Sequence, residues 1–143
     1  MTDTAGPTVA ALLKREWPQA EIETKLLGDD QDAIANALEE LGRKGAALVL
    51  TVGGTGFGPR DRTPEATLRV VDRQAPGLAE AMRARTAERT PLAYLSRAVC
   101  GLVRRTLIVN LPGSRRGAEE SLQAILPLLS HALETAAGRD PHT

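Results

Sequence analysis

Aromatic side chains are nearly missing from this chain of 143 residues, at 2% of the total: Trp17, Phe57 and Tyr94. Modules that stack nucleobases need several aromatics, so single-strand nucleic-acid binding is not expected. Net charge is missing too, because 18 Lys and Arg balance 18 Asp and Glu. No long-range field therefore draws the protein to nucleic acid or to an anionic membrane. Cys100 is the sole cysteine, which excludes a disulfide framework and a cysteine-based zinc site. Its neighbours Val99, Gly101 and Leu102 mark it as a core residue. No signal-peptide pattern and no long apolar span occurs, so the cytoplasm is the expected compartment. The length suits one domain, residues 1–143, with a real hydrophobic core.

What is present is a regular alternation of helix and strand patterns. Val9, Leu12, Leu13 and Trp17 share one helical face, and Pro18 ends that helix. Ile22, Thr24 and Leu26 alternate, which predicts a strand over Ala20 to Leu27. Asp29 can cap the next helix, with Asp30 and Asp32 in its first turn and Ile34, Leu38 and Leu41 as its apolar stripe. Arg43-Lys44-Gly45 is a helix stop, and Ala46 to Val52 reads as a buried strand. Thr63 is expected to cap a helix with Pro64 at its first position, running to about Gln74, and Pro76-Gly77 starts another, with Leu78, Met82 and Arg85 on successive turns. Ala98 to Val103 and Thr106 to Leu111 are strands around an Arg104-Arg105 hairpin turn. A last helix carries Leu122, Ile125, Leu129 and Leu133, with a kink expected at Pro127 and Gly138 at its end. The last five residues read as frayed. This order predicts an α/β fold with a largely parallel sheet.

The most informative stretch lies between the strand ending at Val52 and the helix starting at Thr63. It holds Gly53, Gly54, Gly56 and Gly58, followed by Arg60-Asp61-Arg62. A glycine-rich loop between a strand end and a helix N-terminus is where open α/β sheets hold anionic ligands. The glycines supply positive-φ freedom and let main-chain amides approach a phosphate. The loop is not a P-loop, because Gly58-Pro59-Arg60 replaces Gly-Lys-Ser/Thr. Nor is it the dinucleotide fingerprint, whose third glycine would fall at Pro59. Asp61 would repel a phosphate, and makes sense there if Mg²⁺ lies between them. It reads equally as an exposed loop acid or a partner for Arg60 or Arg62. Asp29 reads as a helix cap, or as a second acid at the same sheet edge. Asn110 and Ser114 flank the Pro112-Gly113 turn and could hydrogen-bond a polar ligand. The adjacent Arg115-Arg116 pair is a better phosphate candidate than Arg104-Arg105. Ser96 has no histidine neighbour, and His131 and His142 lie in the last helix and tail, so a serine–histidine nucleophile is not expected.

Four stretches together resemble the MogA/MoaB-type molybdenum cofactor biosynthesis proteins, including the G domains of gephyrin and its plant relatives. They are TVGGTGFGPRDRTPEAT (Thr51 to Thr67), Ala75-Pro76-Gly77, TPLAYLSRAVCG (Thr90 to Gly101) and TLIVNLPG (Thr106 to Gly113). The Leu26 to Asp30 segment matches a shorter acidic motif of that family. The resemblance implies a three-layer molybdopterin-binding α/β fold with a mostly parallel sheet plus a β-hairpin, commonly a homotrimer. It also implies that the family's first strand is missing here, because residues 1–7 start inside the loop that follows it. Enzymatic members adenylylate molybdopterin: its phosphate attacks the α-phosphorus of ATP, pyrophosphate leaves, and the product passes to a molybdenum-insertion protein. Phosphoryl chemistry of this kind needs positioning and charge neutralisation, not a covalent nucleophile. By resemblance, Gly53, Gly54, Thr55 and Gly56 line the nucleotide phosphates. Asp61 and Asp29 act near the reacting phosphates and Mg²⁺. Ser96, with Arg97 beside it, contacts the pterin, and Asn110, Pro112, Gly113 and Ser114 shape the same pocket. Two other functions compete with the enzyme. One is a MoaB-like protein that binds molybdopterin or a partner without turnover; the other is a nucleotide-binding regulator.

Overall fold

A computed structural model describes residues 5–139; residues 1–4 at the chain start and His142 in the tail lie outside the described residues. Helix α1 (Ala5–Glu16) and helix α2 (Gln31–Arg43) come first, and strand β1 (Leu48–Val52) and helix α3 (Thr63–Val70) follow. Then come β2 (Arg73–Gln74), α4 (Pro76–Ala87) and a 3₁₀ turn (Pro91–Leu95). Strands β3 (Cys100–Val103) and β4 (Thr106–Leu111) form the hairpin, and α5 (Arg115–Ala136) closes the chain.

The strands form one open sheet in the order β1-β4-β3-β2. Strand β1 pairs parallel to β4, from Leu48 opposite Leu107 to Val52 opposite Leu111. Strands β3 and β4 pair antiparallel, as do β2 and β3. Side chains on β4 alternate between two cores, as the period of a strand requires. Leu107, Val109 and Leu111 pack with α1, α4 and α5, while Ile108 packs with Ile34, Ala35 and Leu38 of α2 and with Ala66 of α3. The three-layer α/β arrangement is therefore present. Leu122, Ile125 and Leu129 of α5 are completely buried, and burial of each such side chain is worth about 1.5–3 kcal/mol.

Several expectations need correction. The sheet has one parallel pair and two antiparallel ones, so it is not mostly parallel. The expected strand over Ala20 to Leu27 does not form. Its residues have no strand beside them, and Leu26 is 85% exposed, so its alternation of residue types finds neither a ladder nor a core. Helix α3 stops at Val70, not near Gln74, because the next residues join the sheet: the Asp72 amide donates to the Leu102 carbonyl at 2.8 Å and the Ala75 amide to the Cys100 carbonyl at 2.8 Å. Gly101 permits this approach, since a Cβ there would lie 2.9 Å from the Arg73 carbonyl oxygen. The cap of α2 is Asp30, whose carboxylate accepts from the Ala33 amide, and Asp29 precedes it. Arg62, not Thr63, holds the cap position of α3. Arg115 and Arg116 belong to the first turn of α5, which runs through Pro127 to Ala136.

Candidate functional site

The loop that follows β1 folds back on itself at two glycines. Gly53 and Gly54 have φ of 98° and 70°, left-handed values that cost an L-residue energy. The Gly53 amide donates to the Leu111 carbonyl at 2.9 Å, extending the β1–β4 ladder by one step. A side chain on Gly113 would begin 3.2 Å from the Gly53 Cα. The loops after β1 and β4 therefore touch through two residues that have no Cβ. At Gly54 a Cβ would lie 2.3 Å from Thr63 Oγ1, and the Thr63 amide donates to the Gly54 carbonyl at 3.2 Å. This contact sets the start of α3 against the end of β1.

Asp61 sits in the space that two further glycines leave open. Its Oδ2 accepts from the Gly58 amide at 2.9 Å, and the Asp61 amide donates to the Gly58 carbonyl at 3.0 Å. A Cβ on either Gly56 or Gly58 would lie 2.9 Å from that same Oδ2. The half-buried carboxylate is thus held by the main chain, and not by the neighbouring Arg60 or Arg62 guanidinium.

Arg97 fixes the rest of the loop. Its amide donates to the Thr55 carbonyl at 2.8 Å, its Nε to the Gly56 carbonyl at 2.7 Å and its Nη2 to the Asp61 carbonyl at 2.6 Å. Its Nη1 also donates to Glu65 Oε2 at 2.5 Å. Arg97 therefore spends its donors on the protein itself. The Arg97 hydrogen bond holds the Glu65 carboxyl below its ordinary range, against a smaller opposing effect of burial. Sequence reasoning missed Glu65. Its only signal was an acid in the first turn of α3, a position that a helix dipole favours in any protein.

The remaining sequence-derived residues divide into those near this loop and those with structural duties. Ser96 and Pro112 line a cavity of about 30 Å³ with Arg83, Thr86 and Ser121. Arg83 Nη1 donates to the Ser96 and Ala98 carbonyls at 3.1 and 3.2 Å, which fixes the main chain at Ser96. Asn110 is fully buried. Its Oδ1 accepts from the Val99 amide, and its Nδ2 donates to Thr51 Oγ1 and Thr67 Oγ1, each at 3.0 Å. Both of its amide protons are used inside the protein, so Asn110 ties β1, α3 and the residue preceding β3 together at the base of the site. Thr55 is buried, and Ser114 caps α5 by accepting from the Gly117 amide at 3.1 Å. Asp29 is exposed at the entry to α2. The loops thus bring together Gly53, Gly56, Asp61, Arg97 and Gly113, and leave Asp29 apart from that group's hydrogen bonds.

Among the described residues no group of three or more His, Cys, Asp or Glu side chains converges, so they form no all-protein metal cage. The hard oxygen donors that are present suit Mg²⁺ in its usual manner, held by one or two carboxylates and completed by substrate phosphates. Among the described residues no helix is long and apolar enough to cross a membrane.

Comparison with known proteins places this geometry among relatives. Residues 1–131 match the family model described as a probable molybdopterin binding domain. The chain is 45% identical over 105 residues to a molybdopterin adenylyltransferase of Haemophilus influenzae, covering 73% of this chain and 53% of that protein. It is 37% identical to the molybdenum cofactor synthesis protein cinnamon of Drosophila melanogaster, over 92% of this chain and 22% of that one. The chain thus spans between about a fifth and about half of these curated relatives. Among solved structures, the molybdopterin biosynthesis enzyme MoaB of Thermus thermophilus superposes with a TM-score of 0.83 at 44% identity, covering 98% of this chain and 88% of that one. The molybdopterin biosynthesis Mog protein of Mycobacterium ulcerans superposes with a TM-score of 0.89 at 38% identity, covering 94% and 88%.

Proposed function

The chain belongs to the family of probable molybdopterin binding domains, and from that membership we propose that it adenylylates molybdopterin with ATP, releasing pyrophosphate. The observation that carries this reading is the Asp61 carboxylate, held in the Gly56–Gly58 cradle of a loop that abuts the Gly53–Gly113 contact. In this reading the attacking group is the phosphate of the pterin side chain, which is already anionic and needs no strong general base. The reaction then asks the protein for alignment of two phosphates and relief of their charge.

The loop from Gly53 to Gly56 takes the nucleotide phosphates, because glycine lets main chain approach an anion closely. Ser96, Pro112, Gly113 and Ser114 border the pterin, with Arg97 and Asn110 supporting the main chain beneath it. Mg²⁺ would be held by Asp61 and Asp29, and would supply neutralisation of the phosphate oxygens and of the leaving pyrophosphate. The working form in this reading is a cytoplasmic homotrimer that hands its product to a molybdenum-insertion protein.

The test is pyrophosphate release from ATP in the presence of Mg²⁺ and molybdopterin, with Asp61→Asn as the variant. Release by the parent protein, lost in the variant while pterin binding persists, supports the reading. Unchanged release in Asp61→Asn removes Asp61 from the mechanism. One observation favours a second reading, binding without turnover: Asp29 stands exposed after a segment that joins no strand. Molybdopterin binding with no pyrophosphate release under any Mg²⁺ concentration would establish it.

A further inference from the structure

Four glycines in one loop leave Asp61 with more freedom than a reacting centre tolerates, since the main chain alone does not select one conformation. The selection comes from outside the loop. Arg97 binds the carbonyls of Gly56 and Asp61, which bracket the glycine cradle, and so fixes the span between them. Arg97 is itself oriented by Glu65, whose two oxygens take Nη1 at 2.5 Å and Nη2 at 3.4 Å. Glu65 stands on α3, a short helix anchored by the buried Thr63, Pro64, Ala66 and Thr67. The Thr63 amide ties α3 to the start of the loop at Gly54, and the Glu65–Arg97 pair, about one-third exposed on each side, ties it to the Gly56–Asp61 span.

We propose that Glu65 is a positioning residue: through Arg97 it locks the Gly56–Asp61 span, so that the Asp61 carboxylate is held ready in its cradle before any ligand arrives. Glu65 reaches no substrate in this scheme. Without its charge the guanidinium loses the partner that aims its fork. The loop carbonyls then compete with water for it, and the Gly58 amide spends more time off Asp61 Oδ2. The pair is part-buried at the surface and belongs to no core, so its loss should cost global stability little beyond the range of surface ion pairs, and the fold survives while the loop does not stay in place. The kinetic part of this proposal rests on the adenylyl-transfer reading; the conformational part does not.

The experiment uses the intact chain with Glu65→Gln, and Arg97→Lys as a second variant that keeps charge but loses the fork. Hydrogen–deuterium exchange without ligand should speed up at the Gly58 and Asp61 amides by about tenfold or more, with the melting temperature moved by less than about 4 °C. Pyrophosphate release should then fall by roughly 10- to 100-fold in kcat, with KM for ATP changed by less than about twofold. Unchanged exchange in both variants overturns the proposal, as does faster exchange with undiminished kcat. If exchange rises but the parent protein itself releases no pyrophosphate, the adenylyl-transfer reading fails and the lock stands.

Discussion

Replacing Asn110 with alanine tests whether this residue supports the site from below or meets the ligand. The side chain is fully buried and makes three hydrogen bonds, to the Val99 amide, Thr51 Oγ1 and Thr67 Oγ1. Each such bond contributes about 0.5–1.5 kcal/mol net, and a buried group left unpaired costs about 1–3 kcal/mol more. Thr67 Oγ1 keeps its own bond to the Thr63 carbonyl at 2.9 Å, so its hydroxyl proton stays satisfied. The Val99 amide and Thr51 Oγ1 are the groups left short. The expected loss is about 3 kcal/mol, which for a domain of this size lowers the melting temperature by about 10 °C. Urea denaturation followed by circular dichroism measures it directly, with an unchanged m-value as the control for a two-state comparison. Asn110→Asp should lose at least as much, because a carboxylate cannot donate to two threonine hydroxyls. A variant within about 0.5 kcal/mol of the parent, but without pterin binding, would refute the argument and return Asn110 to the ligand.

Further outcomes are expected at the loop glycines, at Cys100 and at Glu65. Gly54→Ala forces a Cβ to 2.3 Å from Thr63 Oγ1 at a φ of 70° and should cost about 1–3 kcal/mol, while Gly58→Ala puts a Cβ 2.9 Å from Asp61 Oδ2, displaces that carboxylate from its cradle, and should reduce pyrophosphate release about tenfold at a smaller cost in stability. Burial pushes the Cys100 thiol up to about 12, so its thiolate fraction at pH 8 is on the order of one in ten thousand; a disulfide reagent should therefore label the protein only on unfolding. Because the unfolded thiol ionises near 8.5, stability from this group should be intact below that pH and decline as pH rises from there toward 12. The Glu65 carboxyl is held low by Arg97, so its contribution is fully present above the ordinary carboxylate range and is lost as pH falls through its lowered value. Glu65→Gln should therefore flatten the acid limb of a melting-temperature profile, and an acid limb identical to the parent's would contradict the ion pair.

Much of this architecture was legible in the sequence because it is written in local periodicity. Ile34 and Leu38, or Leu122, Ile125 and Leu129, recur at helical spacing and are buried as that spacing implies. The β3–β4 hairpin also followed from its β-rich runs, and its turn is marked by the positive φ of Arg104. The two helix caps were each misplaced by one residue, and the larger failures are non-local. Ile22, Thr24 and Leu26 alternate like a strand, but alternation cannot say whether another strand stands alongside. The end of α3 depends on Gly101, far downstream in the chain, having no side chain to block β2. The glycine loop and Asp61 were conspicuous by composition. The inward duties of Asn110, Thr55 and Arg97 were not, because their partners lie on other elements. Glu65 went unnoticed for the same reason.

Among the described residues strand β1 is the last strand on its side of the sheet, and its sequence, Leu-Val-Leu-Thr-Val, contains none of the devices that discourage edge-to-edge pairing. It has no lysine, no proline and no bulge-forming glycine within it. Such a border is a template for a second ribbon. The consequence concerns handling: if the border pairs with a second copy, light scattering of concentrated samples should rise below the melting temperature, and scattering independent of concentration would refute it. A charged residue at Val52, whose side chain is already 37% exposed, is the least disruptive way to keep stored material clear.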